Sequence, residues 1–160
     1  MPELELKRVP DDRRCYAIDG IGILRLDGIW SRSATAEAGQ RSWRVSRTGF
    51  RKRAVEATVA AGALVGVFKA SGKRRGGSLR WGEDELALRP ASAWRERFAL
   101  ADGDRELAVL DGKGWGKRPV TLSVSDPDTV DPGLLLFATF VVRGLAEDGA
   151  AAGGAVVAGS

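Results

Sequence analysis

The sequence predicts a mainly β fold, an antiparallel β-barrel of about 10–12 strands enclosing a hydrophobic C-terminal α-helix. Three observations lead there. Asp-Gly pairs recur at Asp19-Gly20, Asp27-Gly28, Asp102-Gly103 and Asp111-Gly112. Asp-Gly tolerates the positive φ that tight hairpin turns need. Between the turn residues lie short segments that alternate apolar and polar side chains. Last, "DPGLLLFATFVVRGLAED", from Asp131 to Asp148, is apolar through its middle and shows no amphipathic stripe.

Taken in order, residues 1–14 are polar, carry two prolines and read as a flexible N-terminal segment. Strands follow at Tyr16–Ile18, Ile23–Leu26, Trp43–Ser46, 54–60, 63–70, Ser78–Trp81, Glu85–Arg89, 94–100, Glu106–Leu110 and 118–126. In the last of these, Val120, Leu122 and Val124 alternate with Thr121, Ser123 and Ser125, so one face is buried and one wet. In 94–100, Trp94, Phe98 and Leu100 share a face that Glu96 interrupts. The segment 63–70 is apolar on both faces and predicts a strand covered on both sides, with Gly66 marking a bulge or a close backbone approach.

Asp131-Pro132 is a helix start: an N-cap acceptor, then proline at the first helical position. Gly149 supplies a stop, so the helix is predicted over 132–148. A helix apolar on every side either spans a membrane or fills a core. Spanning needs about 20 apolar residues. Here the unbroken run ends at Arg143, so a span would need the alanine-rich tail as well. The helix is therefore expected inside the protein. Strand spacing alone does not separate a barrel from a sandwich, but a central helix favours a barrel closed around it. Residues 15–148 form one domain in this reading, and the small-residue stretch 149–160 is expected to be disordered.

Composition removes many chemistries. The 160 residues include no histidine and one cysteine, Cys15. That takes away the commonest general base, Cys/His zinc sites, Ser/His and Cys/His nucleophile pairs, and any intramolecular disulfide. No P-loop, GxSxG or GxGxxG is present. Glu83, Asp84 and Glu85 are adjacent on a turn and read as solvated, not as a metal site. The expectation is a protein that is not an enzyme, with no cofactor. The N-terminus lacks the apolar run of a signal peptide, which suggests a cytoplasmic location, with peripheral association at a membrane as an option.

Charge is the remaining clue. Residues 41–80 carry +10, leaving −6 for the rest of a chain whose net charge is +4. Two triplets stand out: Arg51, Lys52 and Arg53 in "GFRKRAV", and Lys73, Arg74 and Arg75 in "SGKRRGG". Clustered cations suit an anionic partner, and solvated turns are their ordinary alternative.

A meander of Asp-Gly-turned strands followed by "DPGLLLFATFVVRGLAED" resembles the tubby C-terminal-like superfamily, which includes LURP-one-related proteins and phospholipid scramblases. The resemblance covers about Cys15 to Asp148 and rests on element order and the last helix. It implies a twelve-strand barrel threaded by a central hydrophobic helix, and surface cations that bind phosphoinositide headgroups. No EF-hand-like acidic loop is present, so calcium-dependent scrambling does not carry over. The family's lipid-binding residues find no one-to-one match, and the two triplets are named from charge clustering alone.

The first functional expectation is thus a non-catalytic module for anionic lipid headgroups or a membrane surface. The alternative is a protein-interaction or structural domain, for which Trp115 in "GKGWGKRP" is a candidate contact. Single-stranded nucleic acid is a lesser alternative, since Trp43, Trp81 and Trp94 lie beside arginines but on apolar strand faces.

Overall fold

Short alternating segments separated by tight turns pair most readily with their sequence neighbours, and the computed structural model shows that pairing carried around a full ring. It describes residues 3–27, 32–48, 54–71, 76–91, 97–112 and 120–159, with side chains through residue 146. The strands are β1 (Glu3–Arg8), β2 (Cys15–Ile18), β3 (Gly22–Leu26), β4 (Ser33–Ala38), β5 (Arg41–Thr48), β6 (Ala54–Thr58), β7 (Leu64–Ala70), β8 (Gly77–Trp81), β9 (Asp84–Pro90), β10 (Arg97–Asp102), β11 (Arg105–Asp111) and β12 (Val120–Val124), followed by helix α1 (Pro132–Gly159). Each strand runs antiparallel to its neighbours, and β1 pairs with β12 through Leu4↔Leu122 and Leu6↔Val120 to close the barrel. No sheet edge is left unpaired.

Because the barrel is an up-and-down meander, its connections fall alternately at two ends. At one end three turns have only two residues: Gly39-Gln40, Gly82-Glu83 and Gly103-Asp104. In each the glycine comes first with φ near +60° (61°, 61° and 59°), the conformation that matches strand twist in a two-residue hairpin. The same end receives the helix. Asp131, just before α1, bonds to Arg41 at the start of β5 and to Trp81 at the end of β8. The helix then runs up the barrel axis. Arg143 reaches Tyr16 at the opposite end, and a Cβ added at Gly144 would come within 4.0 Å of the Arg47 guanidinium near the end of β5.

Inward side chains of the strands meet the helix on all sides. Leu135, Leu136, Phe137, Ala138 and Val142 are fully buried, against Leu24, Phe68, Leu79, Leu100, Leu110 and Leu122. Each large apolar side chain so enclosed contributes roughly 1.5–3 kcal/mol gross. Thr139, also fully buried, donates its hydroxyl to Leu135 O at 2.7 Å, so its hydroxyl is not stranded inside. No helix among the described residues is long and apolar enough to cross a membrane.

Several expectations need correction. Residues 3–8 are not a flexible lead-in but β1, the strand that closes the ring. Glu3-Leu4-Glu5-Leu6 does alternate, but the run is short, four of the six residues are charged and only Leu6 is buried. β4 went unpredicted for a different reason: "SATAEA" is alanine-rich and poor in β-formers. Its inward residues Ala34, Ala36 and Ala38 are small where the helix packs close. The strand 63–70 is covered on one side only: Phe68 is buried while Leu64 is 53% exposed. Gly66 does both things expected of it, sitting beside a register shift and facing the Trp81 ring. The helix also continues through 149–159, past the glycine read as its stop and into the segment expected to be disordered. That stretch holds five alanines, the best helix former, beside four glycines.

Candidate anion-binding end

Six sequence intervals begin and end where the helix leaves the barrel: 9–14, 27–32, 49–53, 71–76, 91–96 and 112–119. In the sequence they hold 13 Lys and Arg against four Asp and Glu. At the helix-entry end the connections hold Asp19, Glu83, Asp104, Asp126, Asp128 and Asp131, and no Lys or Arg. The strand termini repeat the division. Lys7, Arg8, Arg25, Arg47, Lys69 and Arg97 lie at the exit end with Asp111, whereas Glu3, Glu37, Asp84, Glu85, Asp102 and Glu106 lie at the entry end with Arg41, Arg80 and Arg105. Among the described residues it is these strand termini that show a charge asymmetry along the barrel axis; of the 13 connection cations, Arg13, Arg14 and Arg32 are described.

At the basic end Arg8, Arg13, Arg14, Arg25, Arg32, Lys69 and Arg97 are exposed, and among the described residues none has an acid within ion-pair distance. Asp27 is the main counter-charge. It accepts from Ser33 Oγ at 2.5 Å and from Arg44 Nη1 at 3.1 Å, and its backbone carbonyl accepts from Arg14 Nη1 at 3.4 Å. The Ser33 hydroxyl, opposed by slight burial and aided by the Arg44 and Arg14 guanidinium groups, holds the Asp27 carboxyl below its ordinary pKa. Arg44 is thereby paired with the Asp27 carboxylate, whereas Arg14 reaches the Asp27 backbone carbonyl. A shallow cleft of about 340 Å³ runs along Arg8–Arg13, where Asp11 takes a left-handed φ of 67°. Arg89, although on β9 near this end, folds away and donates to Gly103 O at 2.9 Å.

The side-chain triplets named from the sequence, Arg51, Lys52, Arg53 and Lys73, Arg74, Arg75, lie outside the described residues, as do Trp94 and Trp115. Their flanks are described. Thr48 pairs with Ala54, Ala54 with Lys69, and Ala70 with Gly77. Both triplets thus belong to intervals anchored at the basic end and one strand apart. Arg8, Arg13, Arg14, Arg25, Arg32 and Arg97 were missed because they occur singly or in pairs and never as a triplet. The signal that finds them is the meander itself: summing charge over every second connection separates the two ends.

Trp43 and Trp81 are 4% and 7% exposed, which makes them core residues, not stacking platforms. Their ring centroids are 5.7 Å apart, and Trp81 lies 5.5 Å from Phe137. Within the barrel the described part of α1 packs into the core cluster with the inward strand residues. No cluster of three His, Cys, Asp or Glu suited to a metal occurs among the described residues. No family model, curated protein or solved structure matches this chain.

Proposed function

We propose that this protein is a non-catalytic module that meets an anionic lipid surface end-on, with the helix-exit end facing the headgroups. The division of charge between the two ends carries the reading. A barrel with cations scattered evenly would bind weakly and in many orientations; one with cations at one end and carboxylates at the other is attracted at one end and repelled at the other. Each Lys or Arg near such a surface contributes about 1 kcal/mol. Guanidinium forks suit phosphate oxygens, and the exposed cations of the described basic end are mostly arginine. The element order, a closed meander with a hydrophobic helix threaded last, is the one that resemblance to the tubby-like superfamily implies, and it supports the same reading.

Vesicle sedimentation tests it. At low salt the protein should pellet with phosphatidylserine-containing vesicles and not with phosphatidylcholine alone, and raising the ionic strength should release it. Replacing Arg51, Lys52 and Arg53 together by serine should weaken partitioning roughly a hundredfold, about 1 kcal/mol per cation. Equal sedimentation with neutral and anionic vesicles would refute the proposal.

A further inference from the structure

The opposite end carries a second feature that lipid binding does not use. Where the helix enters, a cleft of about 590 Å³ opens between the β6–β7 and β8–β9 turns. Its floor is the edge of Trp43 and Trp81, and its apolar wall is Val59 and Val65. Its charged groups divide into two sets. Arg41 and Asp131 are locked together by a two-pronged ion pair at 2.9 and 3.1 Å, so they cancel. Glu83 and Asp84 are exposed, and among the described residues neither side chain has an ion-pair or hydrogen-bonding partner. The cleft is left with two free carboxylates facing an apolar wall. Beside it Leu64, 53% exposed, is the one large hydrophobic side chain so exposed among the described residues. The neighbouring turn, Ala60–Ala63, contributes no charge.

We infer that this cleft is a binding site for a cationic side chain, the alkylammonium of lysine or the guanidinium of arginine, presented by a partner protein segment with an adjacent apolar residue. The chemistry matches part by part. The aliphatic stem of Lys or Arg lies against Val59, Val65 and the tryptophan edges while the charged head reaches Glu83 and Asp84. An apolar neighbour in the segment covers Leu64. The acidic connections around the cleft attract such a segment and repel the anionic surface assigned to the other end. A free alkylammonium would satisfy the carboxylates but leave Leu64 uncovered, which is why a protein segment is favoured over a small amine.

The test uses the full chain and isotope-edited NMR. A glycine-spaced peptide bearing leucine–lysine pairs should shift the Trp81 indole N–H and the Leu64 methyl signals saturably. Glu83→Gln with Asp84→Asn should weaken it roughly fivefold to tenfold, as expected for two exposed ion pairs. Leu64→Ser should also weaken it, while Arg25→Glu at the far end should not. The site is refuted if the peptide produces no shifts there, if a glutamate-for-lysine peptide binds equally well, or if the Glu83/Asp84 variant binds unchanged. Binding of n-butylammonium as tight as that of the peptide would overturn the assignment to a protein partner. The Glu83/Asp84 variant should sediment with anionic vesicles as the parent does, so failure here is distinguishable from failure of the lipid reading.

Discussion

Asp131 joins three parts of the molecule through one carboxylate. Oδ1 accepts from Gly133 N at 2.8 Å and caps the helix; Oδ2 accepts from Trp81 Nε1 at 3.2 Å; both oxygens take the Arg41 fork. Arg41 in turn stacks 4.6 Å from the Trp43 ring centroid. Partial burial alone would raise the Asp131 pKa, but the Arg41, Gly133 and Trp81 donors outweigh it and hold the carboxyl below its ordinary 3.8. A folded-state pKa below the unfolded one adds stability that is present above the ordinary value and lost as pH falls through the folded value. Asp131→Ala should therefore cost about 1–2 kcal/mol at pH 7, most of it the cap, because the Arg41 pair is partly exposed and screened. The difference from the parent should shrink as pH falls below the ordinary carboxylate range, as urea titrations over a series of acidic pH values would show. Gly133 is a second pressure point. A Cβ there would meet Trp43 and Trp81 ring carbons at 2.6–2.7 Å. Both rings are buried and pinned, so Gly133→Ala should destabilise by about 1–3 kcal/mol despite alanine's better helix propensity. Thermal melts that show stabilisation would contradict this account of the Trp pair.

At the scale of elements, α1 replaces the second sheet that a sandwich would have used. Its apolar residues point in every direction because strands surround it in every direction. Phe137 sits fully buried beside Trp81, and Phe137→Ala should cost about 3–5 kcal/mol. That is a large share of the 5–15 kcal/mol typical of a whole domain, so the variant should unfold at markedly lower denaturant. The all-round pattern made the helix and its burial legible in sequence. Strands with strong alternation, such as β12, were legible too. β1 and β4 were not, because their register is set by partners. Leu6 is assigned inward by pairing with β12 and β2, and the alanines of β4 are inward because the helix leaves room only for methyl groups. Two Gly-first turns, at Gly39 and Gly82, also escaped a search for Asp-Gly. The candidate site was legible only in its densest clusters. Cations spread singly and in pairs, such as Arg8, Arg25, Arg32 and Arg97, come to one end only after topology stacks alternate strand ends there.

For the whole molecule, axial charge predicts orientation as well as binding. An environment-sensitive dye on Ala91→Cys, at the basic end, should shift on adding anionic vesicles; the same dye on Asp104→Cys, at the acidic end, should not. Cys15 is buried and should not compete for label. Equal responses from both positions would mean the barrel lies on its side.

Ring closure joins β1 to β12, and the helix that fills the ring comes later still in the chain. No N-terminal portion can complete either task. At translation speeds of about 5–20 residues per second, the earliest strands emerge on the order of ten seconds before residues 132–146 exist to cover them. During that interval a line of greasy strand faces has neither its closing strand nor its helix to cover it, so the order of synthesis leaves the core open until the last.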